Sequence, residues 1–145
     1  MPAITRDLNV IARCGMQFRG EHMKKLSLTA AQAPFILHIV ALPGQSQEEL
    51  AGRLHLNPSN VARQLSQLEN LGFITRCAKA DDKRQLAVFP TNKAVQTAPL
   101  VREINALWHD YLTQEMAEEE KAALETLLEK VRKRAVIWDS GRKPG

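Results

Sequence analysis

Ser46-Gln-Glu-Glu-Leu-Ala-Gly-Arg-Leu54, then His55-Leu56, then Asn57-Pro-Ser-Asn-Val-Ala-Arg-Gln-Leu-Ser-Gln-Leu68, sets the architecture of this chain. Ser46 with Glu49 has the form of a capping box, in which a hydroxyl covers a free amide of a new helix while the acid reaches back. It predicts a short helix with Leu50, Ala51 and Leu54 turned inward. Asn57-Pro58 opens a second helix: an N-cap residue followed by proline at the first helical position, where a missing amide costs nothing. Val61, Leu65 and Leu68 recur at helical spacing as its buried side, and Gly72 after Leu71 is a stop. Phe73-Ile-Thr-Arg-Cys77 and Leu86-Ala-Val-Phe89 are runs of strand formers around the polar stretch Lys79–Gln85, which reads as a β-hairpin. Helix, tight turn, helix and hairpin is the order of a winged helix-turn-helix.

Working outward, Ile4–Lys25 places Ile4, Leu8, Ile11, Gly15 and Phe18 on one helical stripe, widened by Ala12, Met16 and Met23. Thr29-Ala-Ala-Gln32 is another capping box, with Phe35, Ile36, Ile39 and Val40 as the apolar face behind it. Pro34 should bend that helix or delay its start, and Pro43-Gly44 closes it. Downstream, Thr91 is expected to cap a long helix carrying Val95, Ala98, Val101, Ile104, Leu107 or Trp108, and Leu112, with a kink or break at Pro99. A last amphipathic helix is expected from about Ala117 to Trp138, with Leu124, Leu127, Leu128, Val131, Ala135 and Trp138 on one face. Its opening Glu118-Glu-Glu120 suits the positive end of the helix dipole. Residues 140–145 read as a frayed polar tail. The fold class is therefore mostly α with a small β-hairpin wing.

The chain has 145 residues, a net charge of +4, 44% hydrophobic and 25% charged residues, values that exclude wholesale disorder. The richest apolar run, Ala33–Leu42, falls far short of the roughly 20 residues that cross a bilayer. Arg6, Asp7, Arg13 and Arg19 leave no uncharged core for a signal peptide. Cys14 and Cys77 form no CxxC pair. These features imply a reduced, cytoplasmic protein without a membrane partner. No phosphate loop, nucleophile with an ordered base, or paired acids is visible, so no enzyme and no cofactor is expected. His22, His38, His55 and His109 lie on four elements without ligand spacing, so no metal site is expected.

The outward residues of the second short helix, Ser59, Asn60, Arg63, Gln64 and Gln67, can all hydrogen-bond and none is acidic. Arginine can fork to guanine, and Asn or Gln can bridge adenine, so this face suits reading base edges in a major groove. Ser59 and the first amides suit a phosphate oxygen. Lys83 and Arg84 at the hairpin tip are placed for an adjacent minor groove or its phosphates. Six basic and five acidic residues between Ser46 and Pro90 make the region only +1. Glu48, Glu49 and Glu69 should therefore face away from the DNA. The long end helices carry more apolar surface than one small lobe can cover. A symmetric dimer would bury them through Ile4, Leu8, Ile11, Leu124, Leu128 and Val131, and hold two reading helices about 34 Å apart.

Several of these stretches together resemble the MarR (multiple antibiotic resistance regulator) family. They are Leu28-Thr29, Glu49–Leu54, Asn57–Arg63, Leu68-Glu-Asn-Leu-Gly-Phe-Ile74, Asp82-Lys-Arg84 and Phe89-Pro-Thr91. The resemblance implies an intertwined homodimeric transcription regulator, usually a repressor, on a pseudo-palindromic double-stranded DNA operator. It implies that Asp82 interacts with Arg84, which enters the minor groove. It also implies a crevice for a small phenolic or anionic effector, for which Met16, Met23, Phe35, His38 and Trp108 are the candidate lining, though such residues also suit plain core. Residues 1–28 and 112–145 would form the dimerisation region, and 29–111 the DNA-binding lobe with its connecting helix. Cys14 lies closer to Thr29 than the first-helix cysteine of the peroxide-sensing branch and has only Tyr111 available to support it. It reads as a buried structural residue, and Cys77 as wing packing. The alternatives left open are a winged-helix protein-interaction module and a redox- or metal-responsive regulator.

Overall fold

Proline at position 34 determines where the first lobe helix begins. Thr29 and Gln32 cap each other: Thr29 Oγ1 accepts from the Gln32 amide at 3.2 Å, and Gln32 Oε1 accepts from the Thr29 amide at 3.0 Å. Pro34 has no amide to continue the helical ladder, and the Phe35 amide turns to the Gln32 carbonyl at 3.0 Å. A separate turn thus precedes helix α2, Ala33–Ala41, which carries Pro34 in its first turn, so the start is delayed. In the computed structural model, which describes residues 1–142, this helix follows α1, Ala3–Met23, and a 3-10 turn, Lys24–Leu26.

The remaining elements are α3, Gln47–Leu54; α4, Pro58–Asn70; β1, Ile74–Ala78; β2, Leu86–Pro90; α5, Asn92–Thr113; and α6, Glu118–Arg142. Helix α3 starts on Ser46, whose hydroxyl accepts from the Glu49 amide at 3.0 Å, and ends on His55 at a φ of 54°. Helix α4 starts on Asn57 and stops at Gly72, whose φ of 83° favours glycine; the Phe73 amide closes the turn on the Leu68 carbonyl. Phe73, expected in the strand, precedes it and is fully buried. The strands pair antiparallel from Ile74↔Pro90 to Ala78↔Leu86. A third segment joins them through the bridge Ser46↔Ala87, with the Gly44 amide on the Val88 carbonyl at 2.8 Å and the Val88 amide on the Gln45 carbonyl at 2.9 Å. Gly44 is needed here twice over: its φ is 88°, and a Cβ would meet the Phe89 ring at 3.3 Å.

The chain forms two compact units, Met1–Trp108 and His109–Gly145. The first holds one continuous core, in which Phe35, Ile36, Ile39, Leu50, Val61, Leu65, Leu68, Phe73, Val88 and Val101 are closed to solvent. Helix α5 runs through Pro99 without a break. Thr91 directly precedes it, its carbonyl accepting from the Val95 amide at 3.1 Å. The Thr91 hydroxyl donates to the Gly72 carbonyl at 2.6 Å, because the hairpin returns Thr91 beside the end of α4. The second unit comprises the last turn of α5 and helix α6, whose Glu120 carboxylate accepts from the Ala117 amide at 2.9 Å. Helix α6 continues past Trp138 to Arg142, so 140–142 are helical rather than tail; 143–145 lie outside the described residues. Among the described residues no helix is long and apolar enough to cross a membrane.

Candidate nucleic-acid interface

The N-terminus of α4 is organised by one side chain. Asn57 Oδ1 accepts from both the Ser59 amide, at 2.9 Å, and the Ser59 hydroxyl, at 2.6 Å. The donors that seemed available for a phosphate at Ser59 are therefore already engaged within the chain. Ser59, Arg63 and Gln67 are exposed on the helix, as a 3.6-residue period demands, whereas Asn60 and Gln64 are half-buried. Arg63 reaches back one turn to Asn60 Oδ1 at 2.8 Å and keeps its remaining guanidinium donors toward solvent. Gln67 is held from behind: its Oε1 accepts from the buried Gln32 at 3.0 Å, which locks α2 to α4. Base reading by Gln67 would have to break or share that bond.

The hairpin tip presents Lys83 and Arg84 outward, with the Arg84 side chain 93% exposed. Asp82 Oδ1 accepts from the Arg84 amide at 3.1 Å and from its Nε at 3.3 Å, so the implied aspartate–arginine pair is present. Behind the tip, acids that would repel a phosphate backbone are neutralised by the wing. Glu49 on α3 pairs with Lys79 at 2.9 Å, and Glu69 on α4 pairs with Arg76 at 3.1 Å. The Lys79 hydrogen bond and charge, helped by Ser46, outweigh desolvation and hold the Glu49 carboxyl below its usual range. The same Glu49 contact, with Asp81 and Glu48 adding charge, raises the Lys79 ammonium. Lys93 Nζ takes the Leu71 carbonyl at 2.6 Å and sits 4.3 Å from the centre of the Phe73 ring, so a cation receives the negative end of α4.

The sequence reading assigns no role to Arg76, Lys79, Gln45 or Lys93, and places Gln32 in the Thr29 capping box without its bond to Gln67. The Gln45 carboxamide donates to the His38 and Leu42 carbonyls at the end of α2, both at 3.1 Å. Each of these side chains acts across a tertiary contact, and no spacing in the chain announces it. The one available signal is alternation: Arg76 shares a strand face with the buried Ile74, so a cation there needs a partner from the helices.

A cavity of about 440 Å³ lies between Met16 and Arg19 of α1, the Ala30–Phe35 turn, Leu54 and Leu56, Asn60 and Gln64 of α4, and Asn105 of α5. Of the five candidate effector residues, Met16 and Phe35 line it. Met23 is fully buried core. His38 is half-buried on α2 and does not line the cavity. Trp108 stacks on Phe18 at 5.0 Å and lies over Gly15, whose missing Cβ makes room for the indole. Arg19, Asn60, Gln64 and Asn105 supply the polar lining, and the buried Gln64 Oε1 has no hydrogen-bond partner among the described residues. The period from Met16 to Arg19 is the signal that places Arg19 on the cavity face.

Both cysteines are exposed in the single chain, against the buried and packed roles expected of them, because Cys14 lies on the outer side of α1 and Cys77 on the solvent side of β1. His22 stacks on Phe18 at 4.0 Å and contacts its carbonyl, and His109 faces Asp110 at 3.2 Å. Among the described residues no three His, Cys, Asp or Glu gather to hold a metal. At the chain ends, Ile4, Ile11, Leu128 and Val131 are exposed, while Leu8 and Leu124 are half-buried.

Residues 28–86 match the model of the MarR family. The chain is 31% identical over 133 residues to the uncharacterized HTH-type transcriptional regulator YybA of Bacillus subtilis (strain 168), covering 92% of this chain and 89% of that one. It is also 31% identical over 116 residues to the HTH-type transcriptional regulator BilQ of Clostridium symbiosum (strain WAL-14163), covering 80% and 81%. A crystal structure described as a MarR family transcriptional regulator from Listeria monocytogenes complexed with 26mer DNA superposes with a TM-score of 0.89. It is 27% identical and covers 100% of this chain and 99% of that one.

Proposed function

This chain belongs to the MarR family of transcriptional regulators, and from that premise we propose that it is a homodimeric repressor reading a pseudo-palindromic operator. The supporting observation is the sorting of charge. Arg63, Lys83 and Arg84 stand exposed, while Glu49 and Glu69 are paired with Lys79 and Arg76. In this reading α4 enters a major groove, where Arg63 and, after reorienting, Asn60, Gln64 and Gln67 meet base edges. Ser59 contacts a phosphate once its hydroxyl leaves Asn57. Lys83 and Arg84, the latter oriented by Asp82, touch the flanking minor groove or its phosphates.

A second copy covers the exposed apolar faces of α1 and α6 through Ile4, Leu8, Ile11, Leu124, Leu128 and Val131. The division of labour is then 1–28 with 112–145 for pairing and 29–111 for DNA. The cavity beside α4 accepts a small anionic or phenolic effector, with Arg19 as the cationic partner and Met16 and Phe35 as apolar walls. Occupancy would shift the chain between DNA-competent and incompetent states, which requires that the ligand contact the two states differently.

Selection of bound sites from random duplex DNA at controlled salt tests this. Two inverted half-sites about 34 Å apart, centre to centre, are expected. Absence of sequence preference, or a lone half-site bound by a monomer, would overturn the reading.

A further inference from the structure

We propose that Arg76 is a positioning residue that sets where the wing tip stands relative to α4, and so whether Arg84 reaches DNA when α4 is docked. One guanidinium joins three elements. Its Nη1 donates to Gln47 Oε1 on α3 at 2.9 Å, and its Nη2 donates to Ser66 Oγ and to Glu69 Oε1 on α4, each at 3.1 Å. Its side chain is 17% exposed, which removes this cation from the solvent-facing set that meets phosphates. In the hairpin Arg76 pairs with Val88, which is closed to solvent and bonded through its backbone to Gly44 and Gln45. The middle of the ladder is therefore anchored on both strands.

The tip is held differently. Beyond the Lys79–Glu49 pair, the turn is closed by its own bonds, Lys79 amide to Gln85 carbonyl and Gln85 amide to Asp82 carbonyl. Arg84 lies four residues before Val88, an arm of roughly 13 Å at strand rise, so a tilt of roughly 10° at the base displaces the tip by about 2 Å. Such a displacement breaks a hydrogen bond, whose distance window spans about half an ångström. The planar fork of arginine suits this task, because a lysine ammonium cannot span partners on two helices with fixed geometry.

The proposal rests on the DNA reading given above, and a double-mutant cycle separates the two. The probe is a duplex selected from random sequence by the wild-type full-length chain. Arg84→Ala is expected to weaken binding about tenfold in the wild-type background. In Arg76→Gln, and in Gln47→Ala with Ser66→Ala, that loss is expected to shrink below about twofold as the two sites cease to act independently. Hydroxyl-radical protection of the flanking minor groove should fade while protection of the half-sites persists. Arg76→Lys should behave like Arg76→Gln although the charge is kept. General destabilisation would weaken both kinds of protection together and leave the Arg84 effect intact, which overturns the proposal. A full tenfold Arg84 effect in the Gln47→Ala, Ser66→Ala chain overturns it as well, and serves if Arg76→Gln does not fold. If Arg84→Ala costs nothing in the wild-type chain, the wing reading itself fails and the proposal with it.

Discussion

The lobe around α4 and the two end helices treat their apolar residues in opposite ways. In the lobe, Leu50, Val61, Leu65, Leu68, Phe73 and Val88 are closed to solvent within one chain. Along α1 only Gly15 and Met23 are buried, and on α6 Leu127, Leu128, Val131, Ile137 and Trp138 are exposed. Apolar area buried from water stabilises by about 25 cal/mol per Å², a gain the lobe makes within one chain and the end helices would make only in the proposed dimer. The difference teaches that the same amphipathic pattern can fill a core in one region and stay open to solvent in another.

The largest expected effect breaks this comparison directly. Leu128→Glu with Val131→Glu places four acids in a symmetric interface and should weaken the dimer by about 5 kcal/mol. Sedimentation should then find a monomer whose lobe is still folded. A chain that unfolds on losing its partner would show that the lobe depends on the ends. Leu65→Ala attacks the other side: it should destabilise the lobe by about 3 kcal/mol, read from urea unfolding, because the buried site cannot fully collapse. Next, Arg63→Ala should cost about 2 kcal/mol at the selected operator and much less on random DNA; equal losses on both would remove it from base reading. Arg84→Ala should cost about 1.4 kcal/mol and flatten the salt dependence, and an unchanged slope would place the wing off the DNA.

The smallest effect concerns the Glu49–Lys79 strut. Folding lowers the Glu49 carboxyl from 4.5, so its stabilisation is full above 4.5 and fades as pH falls through the lowered value. Folding raises Lys79 from 10.5, so its share is full below 10.5 and fades as pH rises through the raised value. The melting-temperature gap between wild type and Glu49→Gln should be small, flat at neutral pH, and lost at both extremes. A gap that persists in acid would assign it to packing instead.

Helix starts were the most legible part of the chain. Ser46 and Asn57 cap their helices as the rules require, and Thr29 closes the turn ahead of α2 in the same way, since a side chain reaching an amide two or three residues on is a purely local event. The hairpin was legible too, to within a residue at its ends. Thr91 stands at the start of α5 as expected, but its hydroxyl bond to the Gly72 carbonyl, 19 residues earlier, is invisible to local pattern. Gln67 was placed on the correct outward face, but its bond to Gln32 spans 35 residues. Met23, His38 and Trp108 share helical faces with true cavity residues, and periodicity cannot distinguish core from cavity wall when both are apolar.

Local pattern by itself determined the order of elements, the caps, the buried stripe of each lobe helix and the exposed cations at the wing tip. These depend on neighbours within a turn or across a tight hairpin. Which cations of the hairpin were withdrawn from the surface was decided by tertiary structure, because Arg76 and Lys79 found acids on helices that folding brought beside β1. Charge pairs form wherever distance allows, and only the folded chain sets that distance.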